Sequence, residues 1–579
     1  MGAFSELKRR NVLRMAVLYV LATWLVMQVA GVLMDLGGLP AAAGPWLLAV
    51  LVIGFPIALV FSWFYELTPE GLALEKDVPR HESITHLTGR RIDFIVIALL
   101  CAAVLMFAVD KWWVSPPPDH SIAVLAFENM SGDPGQEYFS DGISEELLNL
   151  LAKVPELQVI SRSSSFSFKD KDLDIREIGK QLNVAHVLEG SVRKSGNRIR
   201  ITAQLIEASS DTHVWSETFD RELGDIFAIQ DEIARNVVTK LRFTLTSAVP
   251  ATIATQADVF SMYLQAKHLS RKRNPKDLKK AQLLLEKALE IDPTFAPAWN
   301  RLSIVYVDLA ENALIPRDRG YALARNADEK AIVADPRFAP SYAGLAWVAL
   351  SYDGDFATAA QHLQRALEID AYNTAVISDS AALLKTLGRL EEAILLEELN
   401  IRRDPLTPGR YNNLAASYYY AGRLDEAEHY FRKLLQLSPK YSRGHTRLGV
   451  VLLAKQDPVS ALEVIKHEVN DLSRAYGLTL AYFDNGNSEK SDEAFAQLLK
   501  KLPEQYGYIA MAHAHRGEID SAFEAMELLY ARGGSNHELR VDPRWEPLRS
   551  DKRWTDLLTR AGLSDEQVQD IQFRIPSYN

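Results

Sequence analysis

The sequence predicts a multidomain chain: three transmembrane helices, then an α/β domain with a mixed sheet, then an all-α solenoid of helical repeats. Three observations carry this. Long apolar runs free of charge fill the segment before residue 114, strand-type and helix-type patterns alternate from 121 to 245, and helix-ending prolines recur about every 34 residues beyond 290. At 579 residues the chain is several times the ~100–200 of a typical domain, so division into parts is expected. Its 48% hydrophobic content excludes disorder as the main state. The net charge of −11 lies wholly beyond residue 114, because the segment before it holds equal numbers of acidic and basic side chains. Such an acidic bulk argues against nucleic acid as a partner, which clustered positive charge would have to bind. The single cysteine, Cys101, excludes an intramolecular disulfide framework and a Cys-rich zinc site.

Met15 to Met34 and Trp46 to Tyr65 are each twenty residues without a charge, long enough to cross ~30 Å of hydrocarbon as helices. Phe94 to Val109 is shorter, but Asp93 and Lys111 can snorkel and Trp112 and Trp113 suit an interface. A membrane domain over 1–114 follows, with spans at about 15–34, 46–65 and 92–113. Two alternatives stand beside it: a buried core helix for the third run, and a cleaved signal peptide ending near Ala41, Ala42 and Ala43. Lys8, Arg9, Arg10 and Arg14 precede the first run, the next loop has no Lys or Arg, and Lys76, Arg80, Arg90 and Arg91 follow the second. Basic residues stay on the cytoplasmic side, so the expectation is a multi-pass protein of a bacterial inner membrane. Its N-terminus would be cytoplasmic and everything after about 114 periplasmic. Gly54, Ala58 and Ser62, and likewise Ala98 and Ala102, share helix faces where a second backbone can approach. No run carries a charge in its middle, which disfavours transport.

Ser115 to Pro118 form a stiff proline linker, placed at 115–120. The α/β domain, 121–245, begins with a buried-type strand from Ile122 to Phe127. Ser140 and Asp141 are N-cap candidates for a helix over Ile143 to Leu151. Leu157 to Ile160 reads as a strand and Ile175 to Leu182 as a helix. Val187 to Val192 and Ile199 to Ile206 make a hairpin about Ser195-Gly196-Asn197. Val214 to Phe219 adds a strand and Ile226 to Phe243 a closing helix. The opening strand ending in Phe127 and Asn129, the helix with Leu147, Leu148 and Leu151, and the exit Val159-Ile160-Ser161-Arg162 resemble the amino-terminal domain family of TolB, a periplasmic protein. The resemblance covers about 119 to 245. It implies a version found in bacterial membrane proteins between a cytoplasmic effector and a repeat array, but no adenylate-cyclase or winged-helix domain precedes the apolar runs here. Ser163, Ser164 and Ser165 lie near no nucleophile elbow, and His186 and His213 lack metal-ligand spacing. Arg193, Lys194, Arg198 and Arg200 form a basic hairpin tip whose charge deters edge pairing, with contact to anionic glycans or a partner as the competing reading.

After a linker at 246–257, a proline or its replacement stands at 293, 336, 371, 405 and 439, with separations of 43, 35, 34 and 34. In the clearest unit Tyr411, Leu414, Ala415 and Tyr418 share one helix face, and Ala427, Phe431 and Leu434 another before Pro439. This period and pattern resemble tetratricopeptide repeats, about eight over 258–540, the later ones degenerate. The surplus nine residues near Ile315 to Gly320 are expected in a longer inter-helix loop. Trp545, Leu548, Trp554 and Leu557 mark 541–579 as a C-terminal cap. His513 and His515, two apart on a helix, cannot grip one metal.

The resemblance to tetratricopeptide proteins implies a groove that binds peptides or holds assemblies together. The expected function is a membrane-anchored periplasmic interaction scaffold or sensor subunit with a protein or peptide partner. No enzyme activity, cofactor or metal is expected. The alternative is the receptor part of a signalling system related to adenylate-cyclase or transcription-regulator fusions, with a separate effector. For the groove, Asn413 with Arg443 and Arg447 resembles part of a carboxylate clamp, the two arginines lying one turn apart. An inter-repeat structural role for Asn413 is the competing reading.

Overall fold

Among the described residues the three membrane-spanning helices that the sequence predicts are not found. The computed structural model describes residues 16–24, 26–27, 50–51, 54–56, 65–68, 71–74, 97, 118–241, 251–501, 504–532 and 537–578. Among these no helix is long and apolar enough to cross a membrane. At the end of the second run the chain turns to strand: β1 (Tyr65–Thr68) pairs antiparallel with β2 (Gly71–Leu74). The membrane fold class and the multi-pass inner-membrane location are corrected accordingly. Absence of charge over twenty residues permits a span but does not fix helix length. Of the five small residues assigned to helix packing, Gly54 is described. The Tyr19 hydroxyl donates to the Leu51 carbonyl at 2.8 Å and stands where a Cβ at Gly54 would be. Ala58, Ser62, Ala98 and Ala102 lie outside the described residues.

The chain divides into two units, Met1–Pro116 and Pro117–Asn579. The second opens with a six-stranded mixed sheet. Its strands are β3 (Ser121–Val124), β4 (Glu128–Asn129), β5 (Gln158–Val159), β6 (His186–Ser195), β7 (Arg198–Glu207) and β8 (Thr212–Glu222), in the order β5-β3-β6-β7-β8 with β4 beside β6. β3 is parallel to β5 and β6, whereas β6, β7 and β8 form an antiparallel meander. Alternation sets the two faces. Ile122, Val124, Ile199, Ile201 and Leu205 face one core with α1 (Glu137–Ala152) and α4 (Ile226–Lys240), which bury Ile143, Leu147, Ile229 and Ile233. Ala123 and Val187 face the other, under α2 (Arg162–Ser165) and α3 (Ile175–Leu182). Helix α1 starts six residues before the expected Ile143. A 3-10 turn at Pro134–Gln136, capped by Asp133, leads into it, so Ser140 and Asp141 are buried inside the helix instead of capping it.

Sixteen helices follow in eight antiparallel pairs: α5 (Ala257–Ser270) with α6 (Pro275–Ile291), α7 (Ala296–Glu311) with α8 (Arg317–Ala334), α9 (Ala339–Val348) with α10 (Phe356–Ile369), and α11 (Thr374–Thr386) with α12 (Leu390–Arg403). Then come α13 (Pro408–Tyr420) with α14 (Leu424–Leu437), α15 (Gly444–Ala454) with α16 (Pro458–Ile465), α17 (Asp471–Asp484) with α18 (Ser488–Lys501), and α19 (Tyr506–His515) with α20 (Ile519–Ala531). The recurring prolines act as read from the sequence. Asp292, Asp335, Asp404 and Ser438 each end a second helix immediately before one, in the non-helical geometry that a following proline imposes. The surplus near 315 is only partly loop: residues 312–316 make a connection two longer than 421–423, and the remaining seven lengthen α7 and α8 to 16 and 18 residues, against 13 and 14 in α13 and α14. Gly320 permits that close pairing, since a Cβ there would meet Ala310. First helices of successive pairs touch from α5 to α11 and from α15 to α19, while Arg410 to Ser378 at 2.8 Å and Arg447 to Asn412 at 2.6 Å link those between, which gives the inner layer of a superhelix.

Two contacts join the sheet domain to the solenoid. At one, Lys267 on α5 lies 2.6 Å from Glu146 and 3.0 Å from Glu145 of α1, and Arg271 and Arg162 also pair with Glu145. Burial alone would raise the Glu145 carboxyl, but these cations hold it far below its ordinary range. At the other, the fully buried Asp404 accepts from Ser161 and from Ser164 at 2.7 Å, and Ser161 N–H donates to the Arg403 carbonyl at 2.6 Å. Beyond the last pair, α21 (Lys552–Arg560) and α22 (Asp565–Gln569) follow a 3-10 turn at Pro543–Leu548. Arg553 lies over the Phe523 ring at 4.2 Å, so α21 covers α20, and Trp545, Leu548, Trp554 and Leu557 are buried.

Candidate peptide-binding groove

The inner helices α11, α13, α15, α17 and α19 wall a cavity of about 520 Å³, to which His537, Glu538 and Arg544 of the C-terminal segment add a side. Trp347, Tyr420, Tyr476, Tyr508, Val450 and Met511 give it a largely aromatic and apolar lining. Lys385, Arg443, Arg447 and Arg544 place four cations around it, with Glu504 and Glu538 as the acids. Aromatic rings beside cations suit an extended chain: the rings bury side chains, and the guanidinium forks take carboxylates.

Of the three residues assigned from the sequence, Arg443 and Arg447 line the cavity and Asn413 does not. The side chain that reaches the next repeat is Asn412, whose Oδ1 accepts from Arg447 at 2.6 Å and whose Nδ2 donates to Asn413 at 3.2 Å. Arg443 takes a left-handed backbone, φ +70°, to cap α15, and its N–H donates to the buried Glu468 carboxylate at 2.9 Å. That carboxylate also accepts from Thr446 N–H at 3.2 Å, fitting the positive end of a helix. Lys385 lies 3.0 Å from Glu397. Arg544 pairs with the fully buried Asp542, and its Nη1 donates to the Tyr476 hydroxyl at 3.4 Å.

Lys385, Tyr420, Glu538 and Arg544 escape a sequence reading because they come from helices and a terminal segment more than 100 positions apart. Elsewhere, His513 pairs with Glu518 and His515 with Asp484, on separate sides of α19. Arg198 and Arg200 of the basic hairpin both bind Asp220 at 2.6 Å, so that tip is partly neutralised. Among the described residues no cluster of His, Cys, Asp and Glu could hold a metal ion.

Comparison with known proteins gives two family matches. Residues 118–236 match the second domain of HilA/YgeH-like transcriptional regulators, where the sequence pointed to TolB. Residues 408–441 match the tetratricopeptide repeat. A Rhizobium meliloti protein named "Putative adenylate cyclase 3" is 44% identical over 198 residues, which is 33% of this chain and 34% of that one. The Bacillus subtilis TPR repeat-containing protein YvcD is 23% identical over 283 residues, 45% of this chain and 52% of that one. The chain thus spans about a third and about half of the length of these relatives. Among solved structures, Pseudomonas aeruginosa PilF is 20% identical, covering 36% of this chain and 96% of its own at a TM-score of 0.30. The type IV pilus biogenesis factor PilW is 19% identical, covering 43% and 96% at 0.29. With the repeat match at 408–441 and the paired helices around it, the helical region is a tetratricopeptide-repeat solenoid.

Proposed function

We propose that this protein is an interaction scaffold that binds a protein or peptide partner along the inner face of its repeats. Residues 121–245 act as a base, 258–540 as the array and 541–579 as its cap. The observation that carries the reading is the cavity itself, where aromatic rings from successive inner helices stand beside Arg443 and Arg447. Asn413 supports Arg447 through Asn412. An acidic or free-C-terminal peptide matches the guanidinium forks. Replacing both arginines with alanine is expected to weaken such a partner by about 2–4 kcal/mol, the scale for truncating desolvated charge pairs. Calorimetric titration reads this directly, and unchanged affinity in Arg443→Ala/Arg447→Ala removes the groove from the account.

A second reading is favoured by the cyclase-named relative and by the regulator-type match over 118–236: the scaffold serves a signalling system whose effector is a separate protein. Its test is whether deleting the chain alters cellular cyclic AMP. An unchanged level under every inducing condition tried speaks against a cyclase effector.

A further inference from the structure

The C-terminal segment does more than cap the last repeat. From His537 it runs past the inner-face cavity and reaches helices four and five pairs earlier. The His537 ring meets Phe356 at 6.2 Å, and Arg389 donates to the Phe573 carbonyl at 2.7 Å. Gln364 accepts from Arg574 N–H at 2.8 Å, and the Tyr578 hydroxyl donates to the Ala371 carbonyl at 3.0 Å. On this path Glu538 enters the cavity among Lys385, Arg447 and Tyr420. Burial pushes its carboxyl up, yet Lys385, Arg447, the Tyr420 hydroxyl and Arg544 together hold it below the ordinary carboxylate range. That is the environment a partner's acidic side chain would meet. The charges are unevenly spent: Lys385 has Glu397 and Arg544 has Asp542, while Arg447 has the neutral Asn412 and Arg443 forms no ion pair among the described residues.

We propose that Glu538 is a built-in occupant of the groove, seated where an acidic residue of the partner binds, so that an acidic peptide and residues 537–545 of this chain compete for the same cations. The inference rests on the groove reading above and adds the regulation of that site. The apparent affinity of the free chain is then lowered by the fraction of molecules in which Glu538 is docked. The partner's own acidic residues would have to displace it, or a second factor would have to draw the segment away.

The test uses the full chain and fluorescein-labelled hexaglutamate as probe, with binding followed by anisotropy at low salt. Glu538→Gln keeps the shape and removes the charge, and is expected to bind the probe about 5–10-fold tighter than the parent. Arg447→Ala added to it should remove most of that gain. Saturating probe should also speed hydrogen exchange of the parent's 537–545 amides. Equal affinity of Glu538→Gln and parent, no probe binding by either, or probe binding with unchanged exchange at 537–545 each overturns the proposal. The two readings fail differently: the groove fails if the arginine variants hold the partner as tightly as the parent, and the internal occupant fails if they weaken it while Glu538→Gln changes nothing.

Discussion

Asp328 shows how much a single buried carboxyl can matter. It lies inside α8, fully buried, and accepts from Asn300 at 2.8 Å and Ser303 at 2.5 Å. Burial pushes its pKa up to about 7, against the pull of Ser303, Asn300 and Ser341. The folded state therefore keeps a proton that the unfolded chain loses near pH 4. The stability this gives is complete below about pH 4 and is lost as pH rises through about 7. Asp328→Asn cannot ionise, so relative to the parent it should gain stability between pH 4.5 and 8, by roughly 2–4 kcal/mol, in urea unfolding at the two pH values. Gly344 packs on the same carboxylate, and a Cβ there would overlap Asp328 Oδ2. Gly344→Ala should cost about 1–3 kcal/mol in the same assay. The groove residues teach a related lesson. The spacing of Arg443 and Arg447 was legible, because four positions on a helix return to one face. Asn412 and Asn413 are about 100° apart, so which of them points to the next repeat depends on a helix phase that sequence alone leaves open.

At the scale of elements, most of the order of strands and helices in 121–240 was readable from alternation and turn residues, including the Ser195-Gly196-Asn197 hairpin turn, whereas the two-residue β4 and the one-turn α2 are too short to show a period. The start of α1 was not, because Asp133 caps a 3-10 turn that feeds the helix earlier than its apolar stripe begins. Asp404 is the clearest case of double duty. As the residue before Pro405 it ends α12, and that much was visible in the sequence. Its carboxylate also clasps Ser161, Ser164, Thr407 at 2.8 Å and Arg410 at 3.0 Å, and the two serines lie about 240 positions away. Asp404→Ala leaves Arg410 without its carboxylate, holding only the Ser378 hydroxyl at 2.8 Å, and frees the serine hydroxyls. It should cost about 3–5 kcal/mol and raise hydrogen exchange in residues 157–168 ahead of the rest of the sheet. Exchange that rises uniformly would show that this contact does not hold the sheet domain against the repeats.

For the whole molecule, the repeat period predicted the solenoid because each pair buries its apolar face only against its neighbours. The apolar runs misled because hydropathy measures tolerance for lipid, whereas the chain turns to strand at Tyr65. The return of 537–578 past the groove to α10 and α12 has no local signal at all, since nothing in a repeat announces what will lie against it. Residues 118–579 should give a circular dichroism spectrum with far more helix than strand, and strand equal to helix would break the repeat assignment. Whether partners bind along the inner face is read by site-specific photocrosslinking in cells. A benzophenone side chain is placed in turn at Met511, which lines the cavity, and at Val333, which is 84% exposed on α8. An adduct is expected at Met511 that disappears in Arg443→Ala/Arg447→Ala, with none at Val333. An adduct at Val333 alone, or one at Met511 indifferent to the arginines, would contradict it.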